Sequence, residues 1–277
     1  ITNEIGFLVA DECHHLAAQQ FAKSLLKLNP RYHMGLSATV KRADNLGRIF
    51  SYYLGDICFR SEVDKKTNVE VRLIDYNCDH LSYCKEEKLW NGVICRPRII
   101  NNICAWGPRT DFIMNIIYKC YDMGRKTLVL SDRREHCIMM VKLANEKYGS
   151  EVAGAYLGGM KIHELDASNN KMIIAGTYQA CSEGYDNRTL DTLIMSTPIG
   201  NIEQTVGRIL RQENKYHPLI YEIVDDNIPC LKKNCTTHIK LYKKRDYDVY
   251  NNDDTEKIDF TKKKKVKKDM WNQDCLL

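Results

Sequence analysis

Short apolar runs alternate along the chain with stretches whose apolar residues recur every three to four positions. Ile5 to Ala10 is a continuous apolar run of strand length, the pattern of a strand covered on both faces. Ala18, Phe21, Ala22 and Leu25 then stand at i, i+3, i+4 and i+7, which predicts a helix closed by Pro30. Tyr32 to Leu36 reads as a second strand, and Ala43 to Tyr53 as a helix stopped at Gly55. Residues 77–109 interrupt this rhythm with loop-like signals ending in Trp106-Gly107-Pro108. The rhythm restarts with a helical stripe of Ile113, Ile116, Ile117 and Cys120, closed at Gly124. Thr127–Ser131 is a strand, and Cys137, Met140, Val141 and Ala144 form the next helical stripe. Residues 171–175, 192–195 and 219–224 are further short apolar strands.

Strands alternating with helices predict parallel sheets flanked by helices, the α/β class. The alternation occurs on both sides of residues 77–109, so two lobes are expected, the first incomplete. The division reads as 1–76, the remainder of a first lobe; 77–109, a linker; 110–231, a second lobe; and 232–277, a basic tail. Residues from about 108 to 250 are expected to fold alone.

Charge sharpens the last boundary. Residues 232–277 hold 13 Lys and Arg against 8 Asp and Glu, whereas residues 1–231 hold 28 of each. The whole excess of +5 lies in the tail. A neutral body with a basic tail points to a polyanion partner or to a solvated end. No apolar run approaches the roughly 20 residues of a membrane span, and no signal segment opens the chain. The chain starts without Met inside a strand-like run and reads as part of a longer protein. The 12 cysteines show no CxxC pair and read as reduced thiols of an intracellular protein. Cys78, Cys84, Cys95 and Cys104, with His80 nearby, lack the spacing of a zinc knuckle or ribbon.

Asp11-Glu12-Cys13-His14 directly follows the first strand. Ligand groups of open α/β sheets collect at the carboxyl ends of strands. Two adjacent carboxylates there can divide labour, one holding Mg²⁺ through water and the other activating a water. The same residues read equally as an acidic helix N-terminus. Gly35-Leu36-Ser37-Ala38-Thr39 ends the next strand, where two hydroxyls can bond carboxylates or cap a helix.

Taken together with the second lobe, these residues resemble motifs of superfamily 2 helicases of the DExH type. Asp11 to His14 resembles motif II, Gly35 to Thr39 motif III, and Ala175-Gly176-Thr177 with Glu183 to Asp186 motif V. Gln204 to Arg211 fits the motif VI pattern QxxGRxxR. Leu130 to His136, Tyr156 to Lys161 and Tyr53 to Ile57 narrow the likeness to the repair and transcription branch. Within it the chain is most similar to the viral transcript-release DNA helicases of poxviruses and giant viruses. The resemblance covers roughly residues 5–250.

The resemblance implies a partial first RecA-like lobe and a complete second one, clasping ATP and binding nucleic acid across their tops. It implies that Asp11 holds Mg²⁺, that Glu12 is the catalytic base, and that His14 couples the nucleotide to Gln204. Arg208 and Arg211 would reach the phosphates, a task suited to a planar, always charged fork of donors. Gly184 and Asp186 would shape the nucleotide side of the cleft, Ser37 and Thr39 would link hydrolysis to lobe movement, and Thr177 would touch the nucleic-acid backbone. Lys161, with Gly158-Gly159-Met160, would lie near the nucleic acid; those glycines also read as a simple turn. DNA is expected in preference to RNA, with transcription machinery as a further partner and no membrane. The implied setting is a host cytoplasm or virion, with the nucleus suggested by the Lys-rich tail.

Three departures qualify this. Residues 1–277 contain no GxxxxGK[ST] phosphate loop, Val40 stands where Pro is usual after Ser-Ala-Thr, and Asp44-Asn45 stands where Asp-Gly is usual. The residues by themselves are therefore expected to hydrolyse no ATP. A non-catalytic nucleic-acid-binding module from a split or degenerate gene is the rival reading, while a nuclease has no further carboxylate cluster to support it. Cys13, in a place usually held by Ala or Val, is expected to be inert. Lys262 to Lys268 reads as a phosphate-binding arm, a nuclear localisation signal or a solvated end.

Overall fold

The computed structural model describes residues 5–13, 23, 27–37, 52–59, 69–182, 185–200, 202, 206, 216–252 and 257–258. The chain divides into two compact units, Ile1–Asp64 and Lys65–Leu277. In the first unit β1 (Phe7–Ala10) and β2 (Tyr32–Gly35) pair in parallel, Phe7 opposite Tyr32 and Ala10 opposite Gly35. Both are strands where the apolar runs predict them. The helices expected over 18–25 and 43–53 fall largely outside the described residues.

The second unit is built on seven strands. They are β3 (Glu70–Tyr76), β4 (Thr127–Ser131), β5 (Ala153–Tyr156), β6 (Ile173–Thr177), β7 (Thr192–Met195), β8 (Leu219–Asp225) and β9 (Asp248–Asn251). Their order in the sheet is β5-β6-β4-β7-β8-β3-β9, and every neighbouring pair is parallel. The helices are α1 (Leu81–Cys84), α2 (Arg96–Ala105), α3 (Gly107–Asp122), α4 (Arg134–Tyr148), α5 (Ile162–Asn169), α6 (Tyr178–Ser182) and α7 (Pro229–Lys244).

The central strands β4 and β7 are buried at every position, as continuous apolar runs require. The pleat splits their side chains between two cores. Leu128, Leu130, Leu193, Met195 and Ile220 face a cluster completed by Tyr178 of α6 and Cys235 and Tyr242 of α7. Val129, Ile194 and Ile223 face the other side, against Ile113 and Ile117 of α3 and Met140 and Ala144 of α4. Each such aliphatic side chain removed from water contributes about 1.5–3 kcal/mol. Among the described residues no helix is long and apolar enough to cross a membrane.

Three expected boundaries are corrected. Residues 70–76 are not part of the first unit; they form β3, seated between β8 and β9 of the second sheet. Residues 77–109 are not a linker. They carry α1 and α2, and Tyr83, Ile99, Ile100 and Ile103 form a core with Ile228 and Leu231. Residues 232–251 are not tail, because α7 covers the sheet and β9 extends it. A segment beginning at 108 therefore lacks an internal strand of its own sheet. The run Lys262–Lys268 lies outside the described residues.

Candidate functional site

In the first unit the chain turns directly after β1. Asp11 is exposed, Glu12 half-buried and Cys13 buried. The Glu12 amide donates to Asp11 Oδ1 at 2.9 Å. The Cys13 amide donates to the Leu36 carbonyl at 2.8 Å and the Leu36 amide to that of Ala10 at 2.9 Å. These bonds carry the β1–β2 pairing past both strand ends, so the acidic turn is held beside Leu36-Ser37. Glu12 has φ +45, the left-handed region, where a non-glycine residue costs about 1–3 kcal/mol. Gly35 is a packing requirement: a Cβ there would lie 2.5 Å from Leu54 Cδ1 and 2.9 Å from Cys13 Sγ. Burial pushes the Cys13 thiol up, and the charges of Glu12 and Asp11 push it further against its backbone hydrogen bond. It stays a thiol, inert as expected.

Among the described residues no group of three or more His, Cys, Asp or Glu side chains could hold a metal. That fits Mg²⁺ of the kind bound through one carboxylate, with waters and phosphate oxygens completing its shell. Asp11, exposed at a strand end, is suited to that part. His14 and Thr39 lie outside the described residues, and Ser37 is half-buried just past β2.

In the second unit all strands are parallel, so their carboxyl ends share one edge. Ser131 and Thr177 are register partners there, as are Tyr156 and Gly176. Thr177 Oγ1 accepts the Ala180 amide at 3.3 Å and so caps α6. Gly158-Gly159 turns the chain after β5, with Gly159 at φ +82, and Arg134 donates to the Gly158 carbonyl. Lys161 starts α5; its amide donates to Glu164 Oε2 at 2.8 Å and its side chain is exposed. Asp186 stands 3.5 Å from Arg188 Nε at the surface. The edge thus brings Lys161, Gly158-Gly159, Thr177 and Ser131 onto three adjacent strands. Gly184, Gln204, Arg208 and Arg211 lie outside the described residues. Ile202 and Val206 of the same segment are buried in the α7-side core.

Sequence reasoning missed three buried polar groups at this edge. The first grips residues 198–199, just upstream of Gln204–Arg211. Arg96 donates to the Pro198 carbonyl at 2.9 Å and to Asn234 Oδ1 at 3.0 Å. Asn234 Nδ2 donates to the Ile199 carbonyl at 2.6 Å, and His238 Nε2 lies 2.9 Å from the same oxygen. His238 Nδ1 lies 2.7 Å from Glu222 Oε1, and Tyr242 donates to Glu222 Oε2 at 2.7 Å. The second is the Arg109–Asp225 pair, bidentate at 2.6 and 3.0 Å and wholly buried, with Tyr83 also donating to Asp225. In the third, His136 Nδ1 lies 3.0 Å from Ser131 Oγ and Nε2 lies 3.4 Å from Thr110 Oγ1. Burial, helped by the Arg109 charge, pushes His136 down to about 4, so it is neutral near pH 7. The signal available was Arg96, Arg109 and His238 standing among apolar residues of helical spacing.

Comparison with known proteins agrees with this layout. Residues 1–42 match the family model described as Type III restriction enzyme, res subunit. Over 277 residues the chain is 31% identical to an Acanthamoeba polyphaga mimivirus protein assigned by name to the ATP-dependent RNA helicases, covering 98% of this chain and 52% of that one. It is 27% identical over 261 residues to a protein named as a helicase in Invertebrate iridescent virus 6, covering 89% of this chain and 57% of that one. The chain spans about half the length of the curated relatives it matches. Among solved structures, T4 UvsW superposes with a TM-score of 0.52 at 18% identity, over 90% of this chain and 54% of that one. Saccharomyces cerevisiae Dbp5 bound to RNA and ADP BeF3 gives 0.56 at 14% identity, over 91% and 61%. At those identities the likeness speaks for the RecA-like α/β fold. With four motifs in order, a parallel sheet of this fold and relatives of this kind, the chain belongs to the superfamily 2 helicases.

Proposed function

We propose that these residues form part of an ATP-driven DNA translocase or helicase that acts in viral transcription or transcript release. One observation carries the reading. Asp11, Glu12, Ser37, Lys161 and Thr177 fall in different motifs, and each stands at or just past the carboxyl end of a parallel strand. Asp11 holds Mg²⁺ of the bound ATP, which neutralises phosphate charge. Glu12 takes the proton of the attacking water, its carboxylate fixed by an unusual backbone angle. His14 and Gln204 couple the nucleotide to motif VI, Arg208 and Arg211 stabilise the charge that develops on the phosphates, and Gly184 and Asp186 shape that cleft. Ser37 and Thr39 pass the change on, while Thr177 and Lys161 hold the nucleic-acid backbone.

The test is nucleic-acid-stimulated ATP hydrolysis. Residues 1–277 carry no GxxxxGK[ST] and are expected to be inactive by themselves. With a strand–loop–helix of that pattern ahead of residue 1, turnover should appear. Glu12→Gln should then abolish turnover and leave ATP binding unchanged. Full turnover in that variant, or hydrolysis by residues 1–277 alone, counts against the assignment.

A further inference from the structure

Residues 87–95 form a short hairpin that no part of the reading above uses. The Cys95 amide donates to the Glu87 carbonyl at 2.7 Å and the Leu89 amide to that of Val93 at 2.8 Å, while Lys88 and Ile94 bridge in antiparallel fashion. Asn91-Gly92 makes the turn, the dipeptide such a turn favours. Gly92 sits at φ +80, and Asn91 Oδ1 accepts the Val93 amide at 3.2 Å. The root is tied to α2, where Arg98 donates to the Lys88 carbonyl and Asn102 to Glu87 Oε1, both at 3.5 Å.

This rigid turn presents Trp90 at 97% exposure. An indole is the side chain that gains most from being covered, and folded chains seldom leave one bare. From residue 69 onward Trp90 is the only exposed large aromatic side chain among the described residues. The charges beside it cancel within the hairpin, Lys85 pairing with Glu87 at 2.9 Å and Lys88 with Glu86 at 2.8 Å. The hairpin is therefore no phosphate-binding element, and its means of contact is the aromatic face. Its position follows from α2. Asn101 and the Pro97 carbonyl accept from Arg133, which stands just past the end of β4. The last residue of β4, Ser131, is the register partner of Thr177. The hairpin thus rises from the carboxyl edge that also carries Thr177, Lys161, Arg133 and Arg134.

A site for single-stranded nucleic acid combines cations that follow the backbone with an aromatic face on which a base stacks. The edge has the cations, and Trp90 is the missing face. We infer that Trp90, held out by the 87–95 hairpin, is the base-stacking platform of a single strand that crosses the carboxyl edge of the second sheet. The inference rests on the nucleic-acid reading proposed above.

The test is anisotropy titration of the 277-residue chain against a fluorescein-labelled oligothymidylate at several salt concentrations. Trp90→Ala should weaken binding about tenfold, in the range one stacked base supplies, and Trp90→Phe should recover most of it. The salt slope should stay unchanged, since no cation is removed. With Trp106 and Trp271 both replaced by Phe, the remaining Trp90 emission should be quenched by the oligonucleotide. The melting temperature of Trp90→Ala should match that of the native chain, the side chain being exposed. Native binding with an unaffected Trp90→Ala variant overturns the stacking role alone and leaves Trp90 to a protein partner. A native chain that binds no strand at any salt overturns the nucleic-acid reading together with this one.

Discussion

The two units support their motif residues in different ways. In the second, Thr177 and the Gly158-Gly159 turn stand on a seven-stranded sheet whose central strands are buried throughout. In the first, Asp11 and Glu12 stand on a two-stranded pair whose own side chains face solvent, Phe7 at 56% and Tyr32 at 58% exposed. A surface that grips an extended strand has to be rigid, because a displaced contact loses its bond. A turn that carries a catalytic carboxylate is instead defined locally, here by three backbone bonds around Asp11 to Leu36 and by the close packing of Gly35 on Cys13. The difference separates a binding edge stabilised by a large core from a catalytic turn stabilised by its own geometry.

The largest expected effect breaks the second region. A chain starting at residue 108 loses β3, which pairs with β8 along Glu70–Tyr76 and with β9 along Glu70–Leu73. It also loses Tyr83, a partner of the buried Asp225 carboxylate. Unpaired strand edges then open in the sheet interior. Residues 65–277 should melt in one cooperative transition, whereas residues 108–250 should aggregate or lack a transition by circular dichroism. A cooperative melt of 108–250 would show that β3 is dispensable.

A smaller effect comes from pH. His136 joins β4, α3 and α4 through Ser131 and Thr110, and burial beside Arg109 holds it down at about 4. Its unfolded value is near 6.5. The folded state therefore takes up this proton later than the unfolded state does as pH falls. Stability from this residue is complete above about pH 6.5 and falls between pH 6.5 and 4, by up to about 3 kcal/mol. Urea denaturation of residues 65–277 should show that slope, and His136→Gln should flatten it. A slope that survives the substitution would assign the effect to other groups.

What the sequence disclosed follows the same division. The buried strands β4, β7 and β8 are continuous apolar runs, and the stripes of α3 and α4 are aliphatic, so period and location were both legible. Two proline signals misled. Pro97 and Pro108 look like loop residues, yet each is the second residue of a helix, where a missing amide costs no hydrogen bond. In α7 the buried stripe is Leu231, Cys235, His238 and Tyr242, spaced as in any helix but composed of residues that are not plainly apolar. Its lysines outnumber them, so charge suggested a tail. β3 alternates Val71, Leu73 with Glu70, Arg72, and the last two pair on one face; the alternation was there to be seen. The motif residues were legible by order and spacing. The grip of Arg96, Asn234 and His238 on residues 198–199 was not, because its members come from segments over 100 positions apart.

The smallest expected effect sharpens the comparison at its other end. Glu12 holds φ +45, a region that glycine enters freely and glutamate does not. If the turn serves the carboxylate, its backbone carries strain that a functionless residue would relieve. Glu12→Gly relaxes the strain and also enlarges the unfolded ensemble, two opposing terms of about 1 kcal/mol. Glu12→Ala keeps the strain and loses the carboxylate, so the informative quantity is the difference between the two variants. The Gly variant should be the more stable by roughly 1 kcal/mol in denaturant titration, and hydrogen exchange at Ala10 and Leu36 should slow accordingly. Neither variant should support ATP turnover in the test described above. Equal stability of the two would mean that Glu12 does not hold the left-handed angle in solution, and the acidic turn would then owe its shape to Cys13 and Gly35 alone.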